Sequence, residues 1–444
     1  MKKSILLIFS LCISIAMHAQ VSKTVNVTTA GTLNKLLTLK EDTTVTNLTI
    51  TGSIDARDFV TMRDSMPNLY ILDLSLVNIV AYSGPNGTFY SKFIGLHYEG
   101  STNYLANEIP CYAFVKLYQN TGGSGGAIMN KILSSIIFPT SITSIGIEAF
   151  AYCQGLKGTL NIPQSVISIG SGAFAGCEGY TGTLIIPQSV TSIGSDAFAG
   201  CDGFTGTLSI PQSATQINSG TFSNCKGITS VNLSTSIISI GDNAFYECGL
   251  IGVLNIPTSV QSIGKYAFYC NYGLTSLSIP ASVTSIGTKA FAFVAETLGV
   301  VHVICLQSIY DYSVMPINLT SSPNVFNDVN YNTCALYVPT GSVTRYEGFA
   351  QWQDFLNIEE MPATGISPLN EDNMYLFPNP AKESFTINNE GSATVDIYSM
   401  NGTLILSKTV SGKENIQISQ FTTGLYIVKI IKENAVSIRT LIVE

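Results

Sequence analysis

Between about Ile136 and Phe291 the chain repeats one pattern seven times: SITSIGIEAFAYC, SVISIGSGAFAGC, SVTSIGSDAFAGC, SATQINSGTFSNC, SIISIGDNAFYEC, SVQSIGKYAFYC and SVTSIGTKAFAF. Phe150, Phe174, Phe198, Phe222, Phe245, Phe268 and Phe291 mark the period, three steps of 24 residues and then three of 23. A fixed period of this size builds a stacked solenoid, in which each coil contacts only its neighbours. A chain of 444 residues would overfill one ordinary core, whereas a solenoid lengthens without that limit.

Within a repeat, Leu160-Asn-Ile162 alternates apolar and polar residues, as a half-buried strand does. Leu184/Ile186, Leu208/Ile210, Leu254/Ile256 and Leu277/Ile279 follow suit, and the proline after each pair ends the strand because it cannot donate to a ladder. The glycines at 146, 170, 194, 241, 264 and 287 are expected at sharp corners, with Asn218 taking the left-handed backbone once. The change from 24 to 23 falls between the phenylalanine and the strand, ten residues from Phe150 to Leu160 but nine from Phe245 to Leu254. A loop there absorbs it without shifting the strand register.

Cys153, Cys177, Cys201, Cys225 and Cys248 follow the phenylalanines by three residues, and Cys270 by two. Coils stacked about 4.8 Å apart bring such positions close enough for disulfides. Equivalent side chains point the same way, however, so an unbroken ladder has no natural pairing. Buried thiols acting as small apolar groups are the favoured reading, and all six are assigned to one ladder. A Cys305–Cys334 disulfide stays open. No CxxC or histidine pairing suggests zinc.

The ends carry an address. Lys2 and Lys3 precede an apolar run from Ile5 to Ala16, the layout of a signal peptide over residues 1–19, with cleavage between Ala19 and Gln20. The run is short for a membrane anchor, and no other segment reads as transmembrane. Residues 20–130 read as an N-terminal cap and irregular coils: LTITG as a strand, DARDFVTMRDSM as a helix with Asp55 at its cap and Asp58 three positions on, LYILDLSLVNI as a leucine-rich strand, and NTGGSGGA at 120–127 as a flexible loop. Regular repeats occupy 131–291. Closing coils occupy 292–360, with a strand at 298–304, and Tyr346, Trp352 and Phe355 covering the open end. A linker spans 361–373. Residues 374–444 hold seven short alternating segments with Asn401-Gly402 and Thr423-Gly424 breaks, the pattern of a small all-β, immunoglobulin-like sandwich.

The consensus LxIPxxVxxIGxxAFxxC resembles the BspA-like leucine-rich repeats, and the N-terminal TAGTL, TITGxIDARDF and LDLS segments resemble the cap found with them. That resemblance implies a mainly β solenoid on a cell surface and adhesion to host matrix proteins or other cells. Pro378-Asn379-Pro380, the Met400-Asn401-Gly402 turn, and Gly424 and Tyr426 in GLYIV resemble the C-terminal sorting domain of type IX secretion cargo. This implies handling by that machinery and passage through the outer membrane. Arg439-Thr440 stands where the family usually places a lysine. Asp42-Thr43-Thr44 and Asp64-Ser65-Met66 resemble O-glycosylation tripeptides of Bacteroidota.

Charged residues make up 11% of the chain, against about 25% on average, and the net charge is -8. No basic stripe exists for nucleic acid. His97 and His302 are the histidines beyond the signal segment, and no hydrolase, metalloprotease or phosphate-loop motif accompanies them. No catalytic residue, cofactor or metal is expected. Binding is the class that remains. The strand residues turned away from the core are Thr159 and Asn161, Thr183 and Ile185, Thr207 and Ser209, Ser230 and Asn232, Val253 and Asn255, and Ser276 and Ser278. On a concave face they suit a host or bacterial surface protein or a glycan. Tyr246, Glu247, Lys265, Tyr266, Tyr269 and Tyr272 vary more and form a second candidate surface. The leading reading is an adhesin or recognition module. The alternatives are a structural envelope component and a polysaccharide-capture protein, though the single Trp352 reads as core.

Overall fold

The computed structural model describes residues 20–88, 103–119, 125–293, 306–361, 376–377, 381–399, 403–432 and 435–443. The chain divides into two compact units, one ending at Glu359 and one beginning at Glu360. No helix among the described residues is long and apolar enough to cross a membrane.

The first unit is a solenoid of parallel coils. Its first strand position recurs along the whole unit. Ser22–Val27, Asn47–Ile54, Ile71–Ile79 and Ser135–Ile137 form one parallel sheet. Gly158 and Tyr180, then Gly182 and Phe204, pair by single parallel bridges. Gly206–Ser209 pairs with Ile228–Asn232, and Ile251–Asn255, Gly273–Ile279, Ser308–Asp311, Ala335–Val338 and Asn357–Glu360 form the last sheet. The register expected to stay unshifted slips at this position, between Gly206 and Thr207 and again between Gly252 and Val253. The register of Gly206–Ser209 on Ile228–Asn232 slips between Gly206 and Thr207, beside a left-handed Gly206 at φ +80°, while Leu208 still pairs with Val231. The bulge thus keeps the inward residues inward.

A second parallel ladder comes from residues that the sequence marks only as core. Glu108–Ile109, Ser144–Ile145, Ser168–Ile169 and Ser192–Ile193 pair one after another in register as one sheet, and Gln216–Ile217, Ser239–Ile240, Ser262–Ile263 and Ser285–Ile286 do so as a second. Each strand is two residues long because the next residue packs against the coil below.

That residue corrects an expectation. Gly146, Gly170, Gly194, Gly241, Gly264 and Gly287 do not adopt positive φ. A Cβ on Gly170 would lie 2.6 Å from the Ile147 backbone nitrogen and 2.7 Å from the Gly146 carbonyl carbon. Glycine is required for close approach of one coil to the next. Asn218 is not left-handed either; its Nδ2 donates to the Ile193 carbonyl of the preceding coil at 2.6 Å. The left-handed positions flank the first six phenylalanines by two residues on either side: Glu148 and Tyr152, Gly172 and Gly176, Asp196 and Gly200, Gly220 and Asn224, Asn243 and Glu247, Tyr266 and Cys270; Phe291 has Lys289 alone.

One continuous core runs from Val25 to Phe355. Its axis is a stack of phenylalanines. Rings of Phe114, Phe150, Phe174, Phe198, Phe222, Phe245, Phe268 and Phe291 follow one another at 5.2 to 5.7 Å, with planes within 16° of parallel. Phe326 continues it at 6.0 Å. Phe59, on the helix Ala56–Ser65, closes one end edge-on against Phe114. Trp352 meets Phe326 at 5.1 Å and closes the other, with Tyr346 and Phe355 also buried, as the sequence indicated. The helix carries the expected cap, Asp55 with Asp58 completing a capping box. Asp58 is buried and also accepts from the Gly31 and Leu33 backbone, tying the first coils to the helix.

Cys153, Cys177, Cys201, Cys225 and Cys248 are buried thiols. Sγ of Cys177 donates to the Phe150 carbonyl at 3.1 Å, Cys201 to Phe174 at 3.0 Å, Cys225 to Phe198 at 3.2 Å and Cys248 to Phe222 at 3.1 Å. Cys270 does not belong to this ladder. It occupies the left-handed position instead, and Asn271, three residues after Phe268, takes the ladder site. Cys305, and with it the proposed pairing to Cys334, lies outside the described residues, as does the strand expected at 298–304. Of the loop expected at 120–127, residues 120–124 lie outside the described residues, while Gly125–Ile128 forms a strand antiparallel to Lys116–Gln119. Backbone pairing needs no side chains, so glycine does not prevent it.

The second unit is all β. Leu376–Phe377, Ser384–Ser399, Leu404–Gln417, Gly424–Lys432 and Ala435–Val443 hydrogen-bond antiparallel around a core that includes Phe385, Val395, Ile397, Ile416 and Val428. Segments expected as separate strands run on as continuous ones. Ser384–Ser399 absorbs its polar middle as a register shift between Asn389 and Ser392 rather than breaking. Most of the 361–373 linker lies outside the described residues.

Candidate functional site

The first-sheet strands alternate inward and outward residues, so two outward rows run from coil to coil. One holds Thr159, Thr183, Thr207, Ser230, Val253, Ser276 and Ser308; the other holds Asn161, Ile185, Ser209, Asn232, Asn255, Ser278, Tyr310 and Tyr337. Strand pairing sets Thr207 beside Ser230 and Ser209 beside Asn232, Val253 beside Ser276 and Asn255 beside Ser278. It continues with Ser276 beside Ser308, and Ser278, Tyr310 and Tyr337 in sequence. Thr159, Asn161, Thr183, Thr207, Ser209, Asn232 and Asn255 are exposed, and Ser230, Ser276 and Ser278 are half-buried. Ile185 and Val253 stand out at 67% and 62% exposure.

Rows interact laterally. Asn232 Nδ2 donates to Ser209 Oγ at 3.3 Å, and the Ser276 and Ser308 hydroxyls share a hydrogen bond of 2.8 Å. None of these row positions carries a charged side chain. Hydroxyls and amides both donate and accept, so the face offers repeated neutral hydrogen bonding. Beyond Tyr337, on the last strand, Glu359 and Glu360 are exposed.

Tyr310 and Tyr337 were missed from sequence because the closing coils depart from the consensus. Their rings stack at 4.8 Å with planes 16° apart. The signal was present in Ser308-Ile-Tyr310 and Leu336-Tyr337-Val338, which keep the alternation after the repeat has faded.

The second candidate surface is partly gathered. Tyr246 and Tyr269 stack at 5.2 Å, Tyr266 meets Tyr269 edge-on at 5.3 Å, and Lys289 Nζ lies 5.9 Å from the Tyr266 ring centre. Burial first, then neighbouring groups including Cys270, pushes the Tyr269 hydroxyl up to about 12. Tyr272 stands apart, packed on Phe293 with its hydroxyl donating to Cys270 Sγ at 3.2 Å. A cavity of about 180 Å³ lies beside the helix Ala56–Ser65, lined by Met62, Met66, Leu69, Phe114, Asn130 and Leu133.

Among the described residues no group of three or more His, Cys, Asp or Glu could hold a metal. His97 and His302 lie outside them, as do Ala19 and the Pro378-Asn379-Pro380 motif; Gln20 is the first described residue and is exposed. Gly424 opens the strand Gly424–Lys432. Tyr426 is buried and its hydroxyl donates to the Thr422 carbonyl at 2.8 Å, pinning the preceding turn. Thr43 and Ser65, the hydroxyl residues of the glycosylation-like tripeptides, are exposed.

Residues 125–206 and 203–314 match the BspA type leucine-rich repeat region, in six copies, and residues 375–444 match the secretion system C-terminal sorting domain. No curated protein matches the chain. Among solved structures it is similar to a leucine-rich repeat protein from Bacteroides ovatus, at 18% identity, covering 67% of this chain and 86% of that one, with a TM-score of 0.32. A leucine-rich cell surface protein from Faecalibacterium prausnitzii is similar at 19% identity over 55% of this chain and 93% of that one, with a TM-score of 0.26. The pneumococcal vaccine antigen PcpA is similar at 16% identity over 71% and 78%, with a TM-score of 0.28. The chain thus carries BspA-type repeats and a sorting domain that directs secretion through the outer membrane by the type IX route, to the cell surface or beyond.

Proposed function

We propose that this secreted chain of BspA-type repeats, ending in a type IX sorting domain, is an adhesin: a non-catalytic module that recognises a surface protein or glycan. The observation that carries the reading is the pair of uncharged outward rows, continuous in kind from Thr159 and Asn161 to Ser276 and Ser278. Many weak contacts spread over such rows add up to specific binding without electrostatic capture. The phenylalanines and thiols are buried and serve packing. The signal segment, cleaved between Ala19 and Gln20, belongs to the same reading.

The purified secreted protein is tested on arrays of matrix proteins and glycans. Saturable binding is expected, and Thr183→Arg with Asn232→Arg weakens it by about tenfold or more while leaving the fold intact. Absence of saturable binding to either class, or binding indifferent to both substitutions, overturns the proposal.

A further inference from the structure

The outward rows change size at one step. From Asn161 to Ser278 the second row carries nothing larger than isoleucine. The next two positions are Tyr310 and Tyr337, set by register beside Ser278 and beside each other. Both tyrosines are half-buried, so their stems are held. Tyr337 packs one ring face against Tyr310 and has Glu359 nearby, whose charge raises the Tyr337 hydroxyl above its ordinary value. On the other side of Tyr310 stands Ser278, whose side chain is too short to span an aromatic ring. Tyr310 is therefore a wall, braced from behind by Tyr337, at the end of a floor made by Asn232, Asn255 and Ser278.

We propose that this step is a carbohydrate subsite, in which a neutral pyranose unit stacks its C–H face on Tyr310 and directs its hydroxyls to Asn255 and Ser278. The proposal rests on the reading of these rows as a recognition surface and names the ligand class. A pyranose has an apolar face and a rim of groups that donate and accept, and a rigid aromatic wall beside amides and hydroxyls answers both. The rows carry no charge, which removes the attraction that would select acidic glycans. Protein hot spots seat side chains in desolvated pockets. A floor of serines and asparagines offers hydrogen-bonding groups in their place.

The full secreted protein is titrated by calorimetry with neutral cello-, malto-, manno- and xylo-hexasaccharides. At least one binds, with an affinity insensitive to added salt. Tyr310→Ala weakens it about tenfold, and Tyr310→Phe, which keeps the ring, stays within about threefold. Circular dichroism and melting confirm that each variant is folded. No binding of any neutral hexasaccharide, or binding unchanged in a folded Tyr310→Ala variant, overturns the proposal. If a matrix protein binds and Thr183→Arg abolishes that binding while no sugar binds, the subsite falls and the adhesin reading stands. If neither class binds, both fall.

Discussion

Asn271 reaches back one coil to donate its side-chain N–H to the Phe245 carbonyl at 2.9 Å, taking the place that a cysteine holds in the coils before it. It also donates to Phe268 at 2.9 Å and accepts from the Leu250 backbone at 3.3 Å. The residue is fully buried. Asn271→Ala strands these groups and is expected to cost about 1–3 kcal/mol in denaturant unfolding, while Asn271→Cys loses less. An alanine variant as stable as the parent shows that the ladder contact contributes nothing.

The thiols should be silent in the folded protein. Burial pushes Cys201 and Cys248 up to about 12, and raises Cys153, Cys177 and Cys225 as well. The thiolate is the reactive form, so native protein at mildly alkaline pH takes up no alkylating reagent at these five positions. Unfolding in urea exposes all five to labelling, read by peptide mass. Labelling of Cys201 in native protein contradicts the ladder.

Two glycines separate steric from conformational need. Gly158 has φ +74° and open space around a built Cβ, so Gly158→Ala costs about 1 kcal/mol for its backbone alone. Gly170 has ordinary φ but backbone atoms at 2.6 and 2.7 Å, so Gly170→Ala costs about 3 kcal/mol as coils are forced apart. Comparable denaturation midpoints for the two variants defeat the close-approach explanation.

This contrast marks how far sequence reading reached. The solenoid and the inward alternation of its Leu and Ile pairs were legible because a repeat states its contacts seven times over; the register slips were not, and the strands expected at 160–162 and 184–186 reduce to single bridges at Gly158 and Gly182. Whether a conserved-looking glycine serves φ or contact is not written in its spacing, since both demand a missing Cβ. Cys270 was misplaced because residue type was followed where position decides: the ladder site is three residues after the phenylalanine, whatever fills it. Tyr310 and Tyr337 were missed for the opposite reason, as their coils keep the alternation but not the consensus.

Asp311 makes stability depend on pH. It is fully buried, its Oδ1 accepts from the Ser313 backbone at 3.0 Å, and burial lifts its carboxyl to about 6. The folded value lies above the unfolded one of about 3.9, so the folded state holds this proton more tightly. Its contribution is full below the unfolded value and is lost as pH rises through the folded one. Asp311→Asn should flatten the profile between those limits and stabilise the protein by about 1–2 kcal/mol at neutral pH. Melting temperatures across that window check it; an unchanged profile refutes the assignment.

Removal of residues 374–444, which include the sorting-domain match, should trap the protein in the periplasm. Protease treatment of intact cells reads this directly, digesting the full chain at the surface and sparing the truncated one. Surface digestion of the truncated chain would mean that export runs by another route.

Each coil meets the next through the same contacts, Cys177 to Phe150 and then Cys201 to Phe174. Excising residues 175–198, one whole period, would set Cys201 against the carbonyl formerly held by Cys177 and Phe222 against the ring of Phe174. The seam would be indistinguishable from any other. Loss of half a period would instead set polar residues against the core. Such a protein can therefore gain or lose whole coils without a new kind of contact, so its length is free to drift while its cross-section stays fixed.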